Sequence, residues 1–158
     1  MLSQESLNKI EYELTKYPVE NRQAAVMAAL RIAQMEKGWL SKETISYVAD
    51  YLRIPAIAAL EVASFFNMYE LEPVGKYKIS VCTNISCMLR DAEVIVEHLK
   101  QRLDIKDFNE TSADGKFTLK EGECMGCCGG APLFHINNTK MHEYLTPEKV
   151  DEILAGLD

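Results

Sequence analysis

No uncharged apolar run in this sequence approaches the roughly 18 residues that a membrane span requires. The best candidate, Ala56 to Phe66, is short and is broken by Glu61, so any membrane association is expected to come through partners. Basic charge is also scarce. Lys and Arg number 17 against 24 Asp and Glu, a formal net charge of -7, which is the wrong sign for a chain whose main partner is a phosphate backbone. The opening Met1-Leu2-Ser3-Gln4-Glu5 lacks the basic and then apolar run of a secretory signal and the Arg-rich character of a transit peptide; the chain is expected to stay unexported. There is no G-x-G-x-x-G and no Gly-rich turn at a strand-to-helix junction upstream of an acidic residue, so a nicotinamide site is missing and hydride chemistry is expected elsewhere. Repeats and low-complexity tracts are absent too. Five cysteines are an odd number, and in an unexported chain of this size a disulfide framework is a weaker reading than metal or redox use.

What the sequence does contain is enough apolar material, 47% of 158 residues, for the core of one ordinary domain or two small ones. The chemistry concentrates in Glu123-Cys124-Met125-Gly126-Cys127-Cys128-Gly129-Gly130-Ala131-Pro132, where three thiols and three glycines share ten residues. Thiolates suit a soft metal, and glycine lets backbone N–H groups approach sulfur without a Cβ in the way. A second pair, Cys82 and Cys87, completes a four-sulfur set. Cys82-x4-Cys87 followed by Cys124-x3-Cys128 departs from the paired short knuckles of structural zinc, and it reads better as an iron–sulfur cradle. Spacing alone leaves open whether Cys124 pairs with Cys127 or with Cys128. A vicinal Cys127-Cys128 dithiol is a further alternative, although a thioredoxin-type C-x-x-C sits at a helix start.

Along the chain, Leu7, Ile10 and Leu14 recur at helical spacing, and Pro18 ends that first helix after Tyr17. The stretch from Asn21 to Lys37 is apolar on nearly every side, which predicts an enclosed second helix with Gly38 at its C-cap. Ser41 caps a third, with Ile45, Val48, Ala49 and Leu52 inward, and Ile54-Pro55 restarts the chain into a fourth through Phe66. Residues 1–72 therefore read as a four-helix bundle. Turn-rich Glu70 to Gly75 marks a boundary, and residues 73–158 read as β-α-β-β-β-α. Tyr77, Ile79, Val81 and Thr83 alternate in a strand that delivers Cys82. A helix from Asp91 to Leu103 follows, then strands at Lys116–Glu121, Leu133–Ile136 and Met141–Leu145, then a helix capped at Thr146. The fold class is α+β.

Lys42 to Phe66 has the outline of a DNA-reading helix-turn-helix, but its second helix carries no Lys or Arg, so bundle packing or protein docking is the better reading. Phe65, Phe66, Met68 and Tyr69 are either core or an apolar docking edge. His98, expected on the exposed side of its helix, and His135 and His142, in a hairpin, are assigned surface or packing roles.

These residues resemble a known family. Val62-Ala63-Ser64-Phe65-Phe66, Pro73-Val74-Gly75-Lys76-Tyr77, Val81-Cys82, Cys87-Met88-Leu89-Arg90 and Cys124-Met125-Gly126-x-Cys128 with Ala131-Pro132 are similar to the 24 kDa subunit of respiratory complex I, NADH:quinone oxidoreductase. The likeness spans almost the whole chain, and Asp91 alone stands where that pattern would carry a small residue. It implies an N-terminal helical bundle followed by a thioredoxin-like domain with one 2Fe-2S cluster. By position it implies Cys82, Cys87, Cys124 and Cys128 as the ligands and Cys127 as a non-ligand. It further implies a flavoprotein partner that binds FMN and NADH, other peripheral-arm subunits, and a cytoplasmic location, peripheral on the inner membrane of a bacterium. The equivalent subunit of an NAD-linked hydrogenase or formate dehydrogenase is an alternative within the superfamily. A zinc-stabilised interaction module is the alternative outside it.

Overall fold

The computed structural model describes residues 1–157. The chain divides into two compact units, Met1–Pro73 and the residues from Val74 onward. In the first unit, α1 spans Gln4–Leu14, a single 3-10 turn at Arg22–Ala25 leads into α2 at Val26–Lys37, and α3 and α4 occupy Lys42–Leu52 and Ala56–Phe65. Helix α1 stops three residues earlier than the sequence pattern suggested. Lys16 and Tyr17 donate their N–H groups to Glu13 and Leu14 in tighter turns, because the residues just ahead of Pro18 are biased away from helical geometry. The start of α1 is tied down from α2: the Glu36 carboxylate accepts the Ser3 N–H at 2.9 Å and the Ser3 hydroxyl at 2.8 Å. Helix α2 is not enclosed on all sides. It buries Val26, Ala29, Leu30, Ile32 and Ala33 but leaves Met27 and Met35 exposed, since its small alanines form one stripe for close approach and the bundle covers only that side.

Ser41 caps α3 by accepting the Thr44 N–H. At the other end Arg53 takes a left-handed φ of 57°, while the Arg22 guanidinium donates to the carbonyls of Tyr51 and Leu52, satisfying groups that a helix terminus leaves orphaned. Helix α4 fully buries only Ala59 and Ala63, and Ile57, Leu60, Phe65 and Phe66 remain exposed. The aromatic group thus splits: Tyr69 is buried and donates to the Met27 carbonyl at 2.8 Å, whereas Phe65, 80% exposed, stacks edge-on against Phe66 at the surface.

The second unit is a four-stranded sheet in the order β2-β1-β3-β4, with β1 at Tyr77–Val81, β2 at Phe117–Glu121, β3 at Phe134–Ile136 and β4 at Lys140–His142. Strands β1 and β2 are parallel, in register from Tyr77 opposite Phe117 to Val81 opposite Glu121. Their crossover contains a short helix α5 at Ile85–Met88 and α6 at Ala92–Leu103. The remaining pairs are antiparallel, and Asn137 and Asn138, both at positive φ, form the tight turn of the β3–β4 hairpin. Helix α7, Pro147–Ala155, starts at Thr146, whose hydroxyl accepts the Lys149 N–H. Ile79, Val81, Leu119, Phe134 and Ile136 on one sheet face pack with Ile95, Leu99 and Leu103 of α6 and Val150 of α7. Alternation along β1 does not produce an exposed face: Lys78 and Ser80 are buried as well, as befits an inner strand. His98 is likewise not on an open surface. It lies half-buried, with Nε2 2.9 Å from Asp151 of α7, and Arg102 joins the same carboxylate at 2.8 Å, holding Asp151 below the usual carboxylate range through the His98 bond first.

Candidate functional site

The site lies where the carboxyl ends of the two parallel strands open into loops. Cys82 directly follows β1, and its N–H is paired with the Leu133 carbonyl at 3.0 Å, so the backbone that delivers this sulfur is an extension of the sheet. Its thiol donates to the Glu123 carbonyl at 3.3 Å. That carbonyl also accepts the N–H groups of Thr83 at 3.1 Å and Asn84 at 2.9 Å. Glu123 reaches this geometry with a left-handed φ of 47°, an uncommon conformation for a side-chain-bearing residue, and it thereby stitches the loop after β2 to the loop after β1. Thr83 adds a hydroxyl bond to the Glu121 carboxylate at 2.7 Å.

Cys87 sits in the single turn of α5, which the sequence pattern read as plain loop. Asn84 begins that turn, and its carbonyl accepts the N–H groups of Cys87 and Met88, both at 2.9 Å. Asp91 takes a φ of 63° just ahead of α6 and makes no side-chain cap, which separates the cysteine turn from the helix proper. Cys82 and Cys87 are buried with Ala92, Ala131 and Leu133 in a small apolar nest of their own. Burial, and then the neighbouring Cys82 thiol, push the Cys87 thiol up to about 11; a metal binding here must displace that proton.

The other three cysteines occupy the glycine-rich loop after β2. Cys124 and Cys128 are exposed and Cys127 is half-buried. All five thiols are free. Cys127 packs against the buried nest of Cys82 and Cys87, and the Glu143 carboxylate pushes its thiol upward. Gly126 adopts a φ of +70°, and neither Gly126 nor Gly129 has any atom near the place where a side chain would begin. The loop closes on a cis Ala131–Pro132 bond and is strapped from behind. Tyr144 donates to the Gly130 carbonyl at 2.7 Å and Leu145 to the Pro132 carbonyl at 3.0 Å. No sequence signal marked Glu143 to Leu145 as part of the site.

The structure thus brings Cys82 and Cys87 together in the interior, with Cys127 packed against them, and leaves Cys124 and Cys128 exposed in the same glycine-rich loop. Among the described residues, no three His, Cys, Asp or Glu side chains lie close enough to hold a single metal ion. A donor set of four thiols in two backbone-braced loops, with open glycines between them, fits a cluster of two irons, whose ligands divide into pairs. His135 and His142 lie outside this set. Both are half-buried, with His135 Nδ1 and His142 Nε2 lacking a hydrogen-bond partner among the described residues, and burial lowers both from the ordinary imidazole value. Among the described residues no helix is long and apolar enough to cross a membrane.

Comparison with known proteins agrees with this chemistry. An NADH-quinone oxidoreductase subunit of Rickettsia bellii is 42% identical over 153 residues, covering 96% of this chain and 90% of that protein. NADH-quinone oxidoreductase subunit 2 of Thermus thermophilus is 36% identical over 148 residues, covering 94% of this chain and 81% of the relative. Among solved structures, an NAD+-reducing NiFe-hydrogenase in its H2-reduced state superposes with a TM-score of 0.68 at 17% identity. That match covers 81% of this chain but only 22% of the hydrogenase chain, so it speaks to the fold alone. The thioredoxin-like 2Fe-2S ferredoxin family matches residues 10–158, nearly the whole sequence and the whole of the cysteine site, and the chain belongs to that family.

Proposed function

We propose that this chain is an electron-transfer subunit of an NADH:quinone oxidoreductase, carrying one 2Fe-2S cluster on Cys82, Cys87, Cys124 and Cys128. The observation that carries the reading is the delivery of two cysteine pairs from the ends of adjacent parallel strands, with the loop after β1 bonded to a carbonyl of the loop after β2, that of Glu123. Such a cluster supplies a one-electron couple. The chain's own part is to hold the sulfurs, keep water from the buried pair through Ala92, Ala131 and Leu133, and present N–H groups of the glycine loop to sulfur. Nothing in the chain can accept a hydride, so NADH and FMN belong to a flavoprotein partner that passes electrons singly. The exposed Met88 and Leu89 beside Cys87 suit docking at that partner, and the apolar outer side of α4 suits docking of the helical unit. The complex is placed peripherally on the cytoplasmic side of a bacterial inner membrane.

Iron and acid-labile sulfide analysis of the reconstituted chain tests this reading. Two irons and two sulfides with visible absorption support it. Zinc without sulfide in a colourless protein sinks it in favour of a structural metal module.

A further inference from the structure

We infer that Met125 is a positioning residue for the cluster: seated on Gly122, its thioether closes the Cys82–Cys87 nest against water and keeps the cluster's potential below that of a wet site. This role rests on the cluster reading above and deepens it, because it assigns the dryness of the two innermost sulfurs to a side chain that is no ligand.

The nest itself is dry: Cys82, Cys87, Ala92, Ala131 and Leu133 are each at most 4% exposed. Met125 and Cys127 are the partly buried side chains packed against it, so among the described residues the way from solvent to the two inner sulfurs passes these two. Cys127 is short. Met125 has the longer, unbranched chain, which adapts to an irregular gap. Its seat is built by the end of the sheet. Gly122 directly follows β2 and donates its N–H to the Val81 carbonyl at 2.7 Å, which fixes it on the end of β1. The Met125 methyl, Cε, occupies the place where a side chain on Gly122 would begin, whereas Gly126 and Gly129 have nothing near that place. The backbone explains how the side chain gets there. Glu123 at a φ of 47° and Gly126 at 70° bend the chain on either side of Cys124 and Met125, leaving Cys124 exposed while Met125 returns to the sheet end and the nest. Reduction of a cluster adds negative charge, and nearby water stabilises that charge. An apolar cover that excludes water therefore lowers the potential.

Three variants of the full chain separate the cover from its seat. Met125→Ala removes the cover, Gly122→Ala keeps the thioether but takes its seat, and Met125→Leu restores apolar bulk. The metal-free chains are treated with iodoacetamide, and labelling of Cys82 and Cys87 is followed by peptide mass spectrometry, with the exposed Cys124 and Cys128 as internal references. Leu99→Ala, in the separate core cluster under the sheet, reports general loosening. Met125→Ala and Gly122→Ala are expected to label Cys82 and Cys87 at least several-fold faster than the parent chain, with Cys124 and Cys128 unchanged and Met125→Leu at the parent rate. Parent-like labelling in Met125→Ala, or equal acceleration in Leu99→Ala, overturns the inference. An empty seat and a missing occupant are one defect, so Gly122→Ala combined with Met125→Ala is expected to label no faster than Met125→Ala alone; a further several-fold rise overturns the claim that Gly122 seats Met125. After reconstitution, a redox titration is expected to show an upward shift of potential in Met125→Ala and none in Met125→Leu. An unshifted Met125→Ala overturns the effect on potential. A parent chain that takes up no sulfide defeats the cluster reading instead, and the labelling rates still decide whether Met125 covers the inner sulfurs.

Discussion

At the scale of single residues, the five cysteines fall into three environments that their spacing does not reveal. Cys82 and Cys87 are buried, Cys124 and Cys128 are exposed, and Cys127 is half-buried against the Cys82–Cys87 nest. Serine in place of Cys82, Cys87, Cys124 or Cys128 offers iron a hard hydroxyl where thiolate is needed, so each of these variants is expected to lose most of its iron and visible absorption. Cys127→Ser is expected to keep both, and a bleached Cys127→Ser beside a coloured Cys128→Ser would reverse the ligand assignment. Pro132, an apolar neighbour of the ligands, is buried rather than presented for docking. Its replacement should therefore disturb folding as well as the site, while replacement of the exposed Met88 or Leu89 should leave folding intact. Glu36 offers a test by pH. The Ser6 hydroxyl first, then the Ser3 N–H, Lys37 and the Ser3 hydroxyl, hold its carboxyl down to about 2. A depressed carboxyl contributes stability above its ordinary value of 4.5 and loses it as pH falls toward the folded value. Glu36→Gln should thus lower the urea midpoint at neutral pH, with the gap to the parent chain closing between about pH 4.5 and 2. A gap of constant size would mean that the charge contributes nothing to anchoring α1.

At the scale of elements, α6 works as the clamp under the sheet, and the cluster loops stand on the edge that it braces. Leu99, fully buried between α6 and the strands, is far from any cysteine in sequence. Leu99→Ala should cost about 2–5 kcal/mol through the cavity it leaves, read as a lower urea midpoint, while the absorption spectrum of the loaded protein keeps its shape. A changed spectrum with unchanged stability would mean that α6 touches the site directly. The helical unit supplies no ligand, and a chain beginning near Val74 retains every strand, α6, α7 and all four proposed ligands. Such a fragment is expected to take up iron and sulfide yet to bind the flavoprotein partner more weakly. Inability to bind iron would show that the helices before Pro73 share the fold of the site.

For the whole molecule, the division of labour between subunits makes the sharpest prediction. A one-electron carrier cannot split a hydride, so NADH should bleach the visible absorption of the loaded chain rapidly only when a flavoprotein partner is added. Rapid bleaching by NADH alone would reveal a hydride acceptor within this chain and end the subunit reading.

The sequence by itself determined the helical periodicity before Pro73, the β-α-β-β-β-α order after it, and four cysteines in two pairs, because apolar period and thiol spacing are local properties that survive reading in one dimension. Periodicity could not tell that Lys78 and Ser80 would be buried, because an exposed face exists only if the strand has one, and that depends on where the strand lies in the sheet. Helix α2 misled in the opposite direction: its composition is apolar all round, but only packing decides which side is covered. His98 looked exposed for the same reason, until α7 brought Asp151 beside it. The clearest case is the site. Neither periodicity nor spacing marks Tyr144 and Leu145, which lie beyond both strands of a hairpin, as braces of the cysteine loop. Only the folding of the chain after β4 back over the loop bonds Tyr144 and Leu145 to Gly130 and Pro132, since a hydrogen bond is decided by distance in space and not by separation along the chain.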